Sequence, residues 1–219
     1  MWKYLIILIL FSCCSSKEQI STDIINNVNP EKNFLYIIYR KTDTKNGIVA
    51  QSYNQYGSTM SHVSIGVVSN HNEFNVFHLL KKKGRNIKND FWISDLKGFF
   101  DDEDENITGA EIWKSNFQLS SQQLSKIKFT VDSLNSSPIK FDFSFDFENH
   151  DKMYCSEFVY FVLNKIDFYK YDKVSLCSKE ISGIHKSLLG TSVLYYLPVD
   201  FLYVDQRFVK IYSKEFKER

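Results

Sequence analysis

The chain has 219 residues, with 27 Lys and Arg against 26 Asp and Glu, so its formal net charge is only +1. Bulk charge therefore excludes a strongly basic nucleic-acid binder. Only 8 Gly and 3 Pro stand against 19 Phe, 13 Tyr and 3 Trp, which excludes disorder and collagen-like repeats and points to one well-filled core.

Residues 1–16 read MWKYLIILILFSCCSS. Lys3 precedes an apolar run from Leu5 to Phe11, far short of the roughly 20 residues of a spanning helix. A basic start, a short apolar stretch and a small residue before a cut are the parts of a secretory signal. Leu10-Phe11-Ser12-Cys13 resembles a bacterial lipobox, with Phe11 bulkier than the usual residue. On that reading 1–12 is a signal peptide, Cys13 is lipidated, 13–33 is a polar spacer and 34–219 is the folded domain. A plain cleaved signal, giving a secreted or periplasmic protein, or merely an apolar segment, are the alternatives. Acyl chains contribute about 0.8 kcal/mol per buried methylene, so several on one cysteine hold a domain durably at a membrane of the cell envelope. Cys155 and Cys177 remain for the domain, and a disulfide between them is open outside the cytoplasm.

Phe34–Tyr39 is strand-like, and the polar stretch from Lys41 to Gly57 reads as loop or a short irregular helix. In His62–Val68, alternation sets Val63, Ile65 and Val67 on one face and His62, Ser64 and Gly66 on the other. Ser69-Asn70-His71-Asn72 turns the chain into a second run, Phe74–Leu80. A hairpin centred on Asn70 would set His62 directly opposite His78, with Cβ atoms about 4.5–5.5 Å apart, and a one-residue slip would send His78 to the other face. The blocks Lys81–Arg85 and Asp101–Glu105 read as solvated loops. A strand over Glu111–Trp113 and a helix over Ser120–Leu134 follow. From Met153, the positions Cys155, Val159, Val162 and Ile166 make the stripe of a buried amphipathic helix with Cys155 in its first turn. Val193–Leu197 and Val209–Tyr212 are strand material, with Pro198 opening a turn between them.

A thiol at a helix start meets the positive end of the peptide dipoles, so its pKa is expected to fall below the usual value of about 8.5. With a histidine in reach it becomes an activated nucleophile. Cys155 and His62 are the candidates, and His78 could hold the imidazole's tautomer. Each also has a structural alternative, a core cysteine and a satisfied sheet histidine. Glu157 lies about 200° round the helix from Cys155 and takes no catalytic role in this reading. No short-spaced cysteine and histidine pairs suggest a metal, and no cofactor is required.

Met60-Ser61-His62-Val63-Ser64-Ile65-Gly66-Val67, Tyr154-Cys155-Ser156-Glu157-Phe158-Val159 and Leu197-Pro198-Val199-Asp200-Phe201-Leu202, in this order, resemble the circularly permuted papain-like amidases of the NlpC/P60 superfamily, the YiiX-like group. The resemblance runs from about Phe34 to Tyr212. It implies an α+β fold in which a central antiparallel sheet packs against helices and the nucleophile sits at a helix N-terminus. It also implies Cys155 as nucleophile and His62 as base, with His78 where the group commonly has an acidic residue. Phe141-Asp142-Phe143 resembles the group's Y-D-F segment, so Asp142, Tyr154 and Ser156 are candidate oxyanion or structural supports. Ser64 and Phe141 depart from the group's glycine and tyrosine. The implied activity is hydrolysis of an amide in the cell envelope, such as a peptidoglycan peptide, through an acyl-enzyme. An acyl-lipid esterase or acyltransferase of the same fold, or a non-catalytic binding lipoprotein, are the alternatives.

Overall fold

The computed structural model describes residues 16–81, 88–101, 105–145, 147, 151–169, 174–183, 186–187 and 190–216. Cys13 and the lipobox lie outside them. The elements in chain order are α1 (Ser16–Asn27), β1 (Tyr36–Thr42), α2 (Lys45–Gln51), β2 (His62–Val68), β3 (Phe74–Leu79), β4 (Phe91–Asp95) and α3 (Leu96–Phe100). They continue with β5 (Ile107–Ser115), α4 (Ser121–Ser136), β6 (Lys140–Phe141), β7 (Lys152–Met153), α5 (Cys155–Lys165), β8 (Cys177–Glu180), β9 (Val193–Tyr196) and β10 (Phe208–Glu215). The fold is α+β, built on a six-stranded antiparallel sheet of order β10-β5-β1-β2-β3-β4.

Alternation along the strands divides the core in two. Ile37, Tyr39, Val63, Ile65 and Val67 face α4 and α5, whereas Tyr36, Ile38, Val76 and Ile112 face α1 and α3. The α5 stripe is buried as its spacing requires: Phe158, Val159, Val162 and Leu163 lose all exposure, and each contributes about 1.5–3 kcal/mol by leaving water. Ser120 caps α4 and exchanges hydrogen bonds with Gln123 in a capping box.

Three expectations need correction. The segment read as a polar spacer folds as α1 and buries Ile24 and Val28 against the α3 face, because its few apolar residues are enough to cover that side of the sheet. The hairpin centres on His71, since Ser69 pairs with Glu73 around a three-residue loop whose last member, Asn72, has φ +64°. Ile65 therefore faces Phe77, and His62 lies diagonal to His78 on the same face instead of directly opposite. Finally, Glu105 of the acidic block is not a solvated loop residue: it pairs with Arg40, which is fully buried. Residues 82–85 and 102–104 of the two charge blocks lie outside the described residues.

Candidate active site

The end of β1, the start of β2 and the residues just after β3 and before β5 meet at one end of the sheet. There they enclose a cavity of about 250 Å³ together with α2, the start of α5 and the segment that ends β9. Its lining is mostly apolar, from Val49, Ala50, Tyr53, Phe141, Phe143, Phe145, Tyr196 and Pro198. Cys155, His62, Ser61 and Glu105 bring polar atoms, together with Thr42, Asn46, Lys81 and Ser156. Gly47 makes the wall possible, since a Cβ there would lie 2.1 Å from Thr42 Oγ1.

Cys155 opens α5. The N-cap residue Tyr154 makes no side-chain cap, so the first-turn amides are not consumed by a capping oxygen. The backbone N–H groups of Val63, Ser156 and Cys155 act on the thiol and favour its charged form, as does Arg40. Burial outweighs them: Cys155 is 7% exposed and its pKa is pushed up to about 11, above the usual thiol value and opposite to the expected direction. The helix start supplies partial charges, and water removal costs the thiolate more. Cys155 and Cys177 are both free thiols.

His62 lines the same cavity from the first position of β2 and is 5% exposed. No hydrogen bond joins it to Cys155, and its Nε2 is buried with no hydrogen-bond partner. Burial, reinforced by the Arg40 charge, holds its pKa well below the usual histidine value, so the ring is neutral at pH 7. His78 meets His62 edge to face at 5.7 Å between ring centroids, and both pack on Phe99. The orienting hydrogen bond expected from His78 is not made; its Nε2 lies 3.4 Å from Ser94 Oγ. The two-residue offset of the hairpin is the reason, because the rings pass each other diagonally.

The supporting residues hold backbone. The Tyr154 hydroxyl accepts the Leu197 N–H at 2.8 Å, and Ser156 Oγ donates to the Leu197 carbonyl at 2.7 Å, so one residue of the Leu-Pro-Val-Asp segment is clamped from both sides of Cys155. Asp142 accepts the N–H and hydroxyl of Ser144, at 2.8 and 2.6 Å, and tightens the turn after β6. In this arrangement Ser156 and Asp142 give their polar atoms to the backbone and to Ser144, and the Tyr154 oxygen serves as an acceptor. Asp200 is fully buried and accepts the N–H groups of Gln55, Tyr56 and Ser58. It thereby anchors the loop that leads into His62.

Sequence reasoning missed Arg40 and Glu105. The signal was present in the alternation Tyr36, Ile38, Arg40, which puts a guanidinium on a face otherwise apolar. Arg40 Nη1 donates to the Phe99 carbonyl at 2.6 Å, Nη2 lies 2.9 Å from Glu105 Oε2, and the guanidinium stands 4.8 Å over the Phe99 ring.

No protein-family model matches the chain. No curated protein matches it either. Among solved structures it is similar to the metalloprotein YiiX from Escherichia coli O157:H7, a DUF1105 protein, with a TM-score of 0.57 at 16% identity, over 87% of this chain and 100% of that one. The fold is therefore YiiX-like. A metal does not fit this site as it stands. Among the described residues no group of three or more His, Cys, Asp or Glu could hold an ion, and the fixed charge of Arg40 sits directly across from His62. No helix of the described residues is long and apolar enough to cross a membrane.

Proposed function

We propose that this chain is a cysteine hydrolase of the papain-like, circularly permuted NlpC/P60 type, held in the bacterial cell envelope through lipidated Cys13. The observation that carries the reading is that Cys155, at the start of α5 and with backbone amides around its sulfur, shares one cavity with a neutral His62 whose Nε2 has no partner. A buried histidine nitrogen without a partner is costly, and catalytic use is one of the few reasons for it.

The chemistry is acyl transfer. Cys155 Sγ attacks an amide or ester carbonyl, the thiol proton passes to His62, and the tetrahedral oxyanion is met by backbone N–H groups at the start of α5. His62 returns the proton to the leaving amine or alcohol as the carbonyl–heteroatom bond breaks, and water then hydrolyses the thioester. Substrate binding has to bring His62 and the thiol into hydrogen-bond range. Until then the thiol stays protonated, which also slows its oxidation.

The lining decides between substrates. A peptidoglycan peptide carries carboxylates and amides that need polar partners, whereas Val49, Phe141, Phe143, Phe145 and Tyr196 offer an apolar wall. An apolar acyl group, as amide or ester, is the better match. The test is hydrolysis of p-nitrophenyl acetate, butyrate and octanoate and of an alanyl peptide anilide by the full chain. Rates should rise with acyl length, vanish in Cys155→Ala and fall by about 10²–10⁴ in His62→Ala. Saturable acyl binding without turnover, unchanged in Cys155→Ala, would make the chain a binding module instead.

A further inference from the structure

We propose that Arg40 is an electrostatic positioning residue of this site, setting the charge states of Cys155 and His62 from the sheet face that it shares with His62, and that Glu105 sets the strength of its effect. The inference rests on the hydrolase reading of Cys155 for its purpose, although its electrostatic core does not.

Arg40 is the largest fully buried side chain of the described residues, and its Cα partner across the β1–β2 ladder is His62. A buried guanidinium gives up its hydration, and apolar replacements of buried ion pairs often stabilise a protein. The cost is met by fixed geometry. The Phe99 carbonyl takes Nη1, the Phe99 ring lies under the guanidinium plane, and Glu105 stands at Nη2. Phe99 is also the ring on which His62 and His78 pack, so the cation and both imidazoles share one surface. Arg40 does not line the cavity, whereas its partner Glu105 does, at 19% side-chain exposure. One end of the ion pair is therefore reachable by an occupant of the cavity, and the other faces the histidine.

The titratable groups around Arg40 are Glu105 ahead of β5, His62 on β2, His78 on β3 and Cys155 on α5. At the end of α3, Asp101 accepts the Ser21 hydroxyl of α1 at 3.0 Å. Glu157 and Asp142, from α5 and the segment after β6, act together with Cys155 on the Tyr154 hydroxyl. Of these, Arg40 is the group whose charge acts on both Cys155 and His62, and it lowers both. The consequence has a definite sign: a cation here favours a thiolate and an uncharged imidazole, a base ready to accept a proton. Glu105, as its counter-ion, weakens both effects.

The experiment is iodoacetamide labelling of Cys155 in the full chain, read by peptide mass from pH 6 to 11. Wild type is compared with Glu105→Gln, Arg40→Lys and Arg40→Gln. Glu105→Gln should move the labelling midpoint down by about one pH unit, roughly tenfold faster labelling at pH 8, because one opposing charge is gone. Arg40→Gln should move it up and raise the His62 pKa read by NMR of its ring protons. Arg40→Lys should stay near wild type. A midpoint that Glu105→Gln leaves unchanged or raises overturns the proposal. That variant and Arg40→Lys keep the test decisive should Arg40→Gln fail to fold. The two readings fail separately. A shifted midpoint without ester hydrolysis keeps the role of Arg40 and ends the hydrolase reading, whereas Cys155-dependent hydrolysis with an unmoved midpoint ends only the role of Arg40.

Discussion

Asp200→Asn isolates the anchor beneath the loop that presents His62. Asp200 Oδ1 accepts Gln55 N–H at 3.1 Å, while Oδ2 accepts Tyr56 N–H at 2.7 Å and Ser58 N–H at 3.3 Å. Asparagine matches aspartate in shape but offers an acceptor on one side only. Whichever way the amide is turned, its NH₂ faces backbone donors. A hydrogen bond to a charged group contributes about 1.5–3 kcal/mol, and an unsatisfied buried donor costs about 1–3 kcal/mol. Losing the weaker side and straining the other gives about 3 kcal/mol. For a chain of this size that is a fall in Tm of about 6–12 °C. Urea denaturation followed by tryptophan fluorescence measures it directly. Limited proteolysis should in addition cut between Tyr53 and Ser61 more readily in the variant. A loss below about 1 kcal/mol with unchanged proteolysis would refute the argument that this carboxylate holds the loop.

Other outcomes follow from the same geometry. The Cys155 pKa stands at about 11 against an ordinary 9.0. A thiol held protonated by the fold contributes stability that is complete below pH 9 and is lost as pH rises to 11, about 2–3 kcal/mol in all. Stability curves of wild type and Cys155→Ala should therefore converge between pH 9 and 11, and parallel curves would contradict the shift. His62 has the opposite sense: its folded pKa lies below its ordinary 6.5, so its contribution is complete above pH 6.5 and is lost on acidification through the folded pKa. His62→Phe should flatten the acid limb of a pH–Tm curve, and an unchanged limb would count against burial of a neutral ring. Gly47→Ala would press a Cβ to within 2.1 Å of Thr42 Oγ1 and 2.7 Å of the Thr42 carbonyl, so α2 must move off the cavity wall. The expected cost is about 1–3 kcal/mol in urea denaturation, and wild-type stability would show that α2 is not packed this closely.

The parts of the fold legible in the sequence were those with a long period. The stripe Cys155, Val159, Val162 and Ile166 and the run Leu124, Ile127, Val131 and Leu134 behind Ser120 each repeat a helical spacing, and the alternation of His62–Val68 repeats a strand spacing. Short elements carried no such period. α3 has five residues, and its start is marked only by Asp95, whose side chain accepts the Gly98 N–H at 2.6 Å. The meeting of His62 with His78 on one face followed from parity, while their diagonal offset depended on Asn72 adopting φ +64°, a local choice that composition does not fix. The sequence named Cys155 and His62, which line one cavity, but not Arg40, Glu105 or the electrostatics around them. A helix start promised an acidic thiol, but the burial that reverses the shift comes from β2 and the cavity walls, which are distant in sequence. Arg40 became visible as part of the site only once β1 and β2 were paired.

The most direct measurement is the intact mass of the full chain, quenched within seconds of mixing with p-nitrophenyl octanoate. The account predicts one octanoyl group added as a thioester at Cys155, labile to hydroxylamine, absent from Cys155→Ser and slow to form in His62→Ala. Nitrophenol release with no adduct on Cys155, or an adduct that forms equally fast without His62, would contradict it.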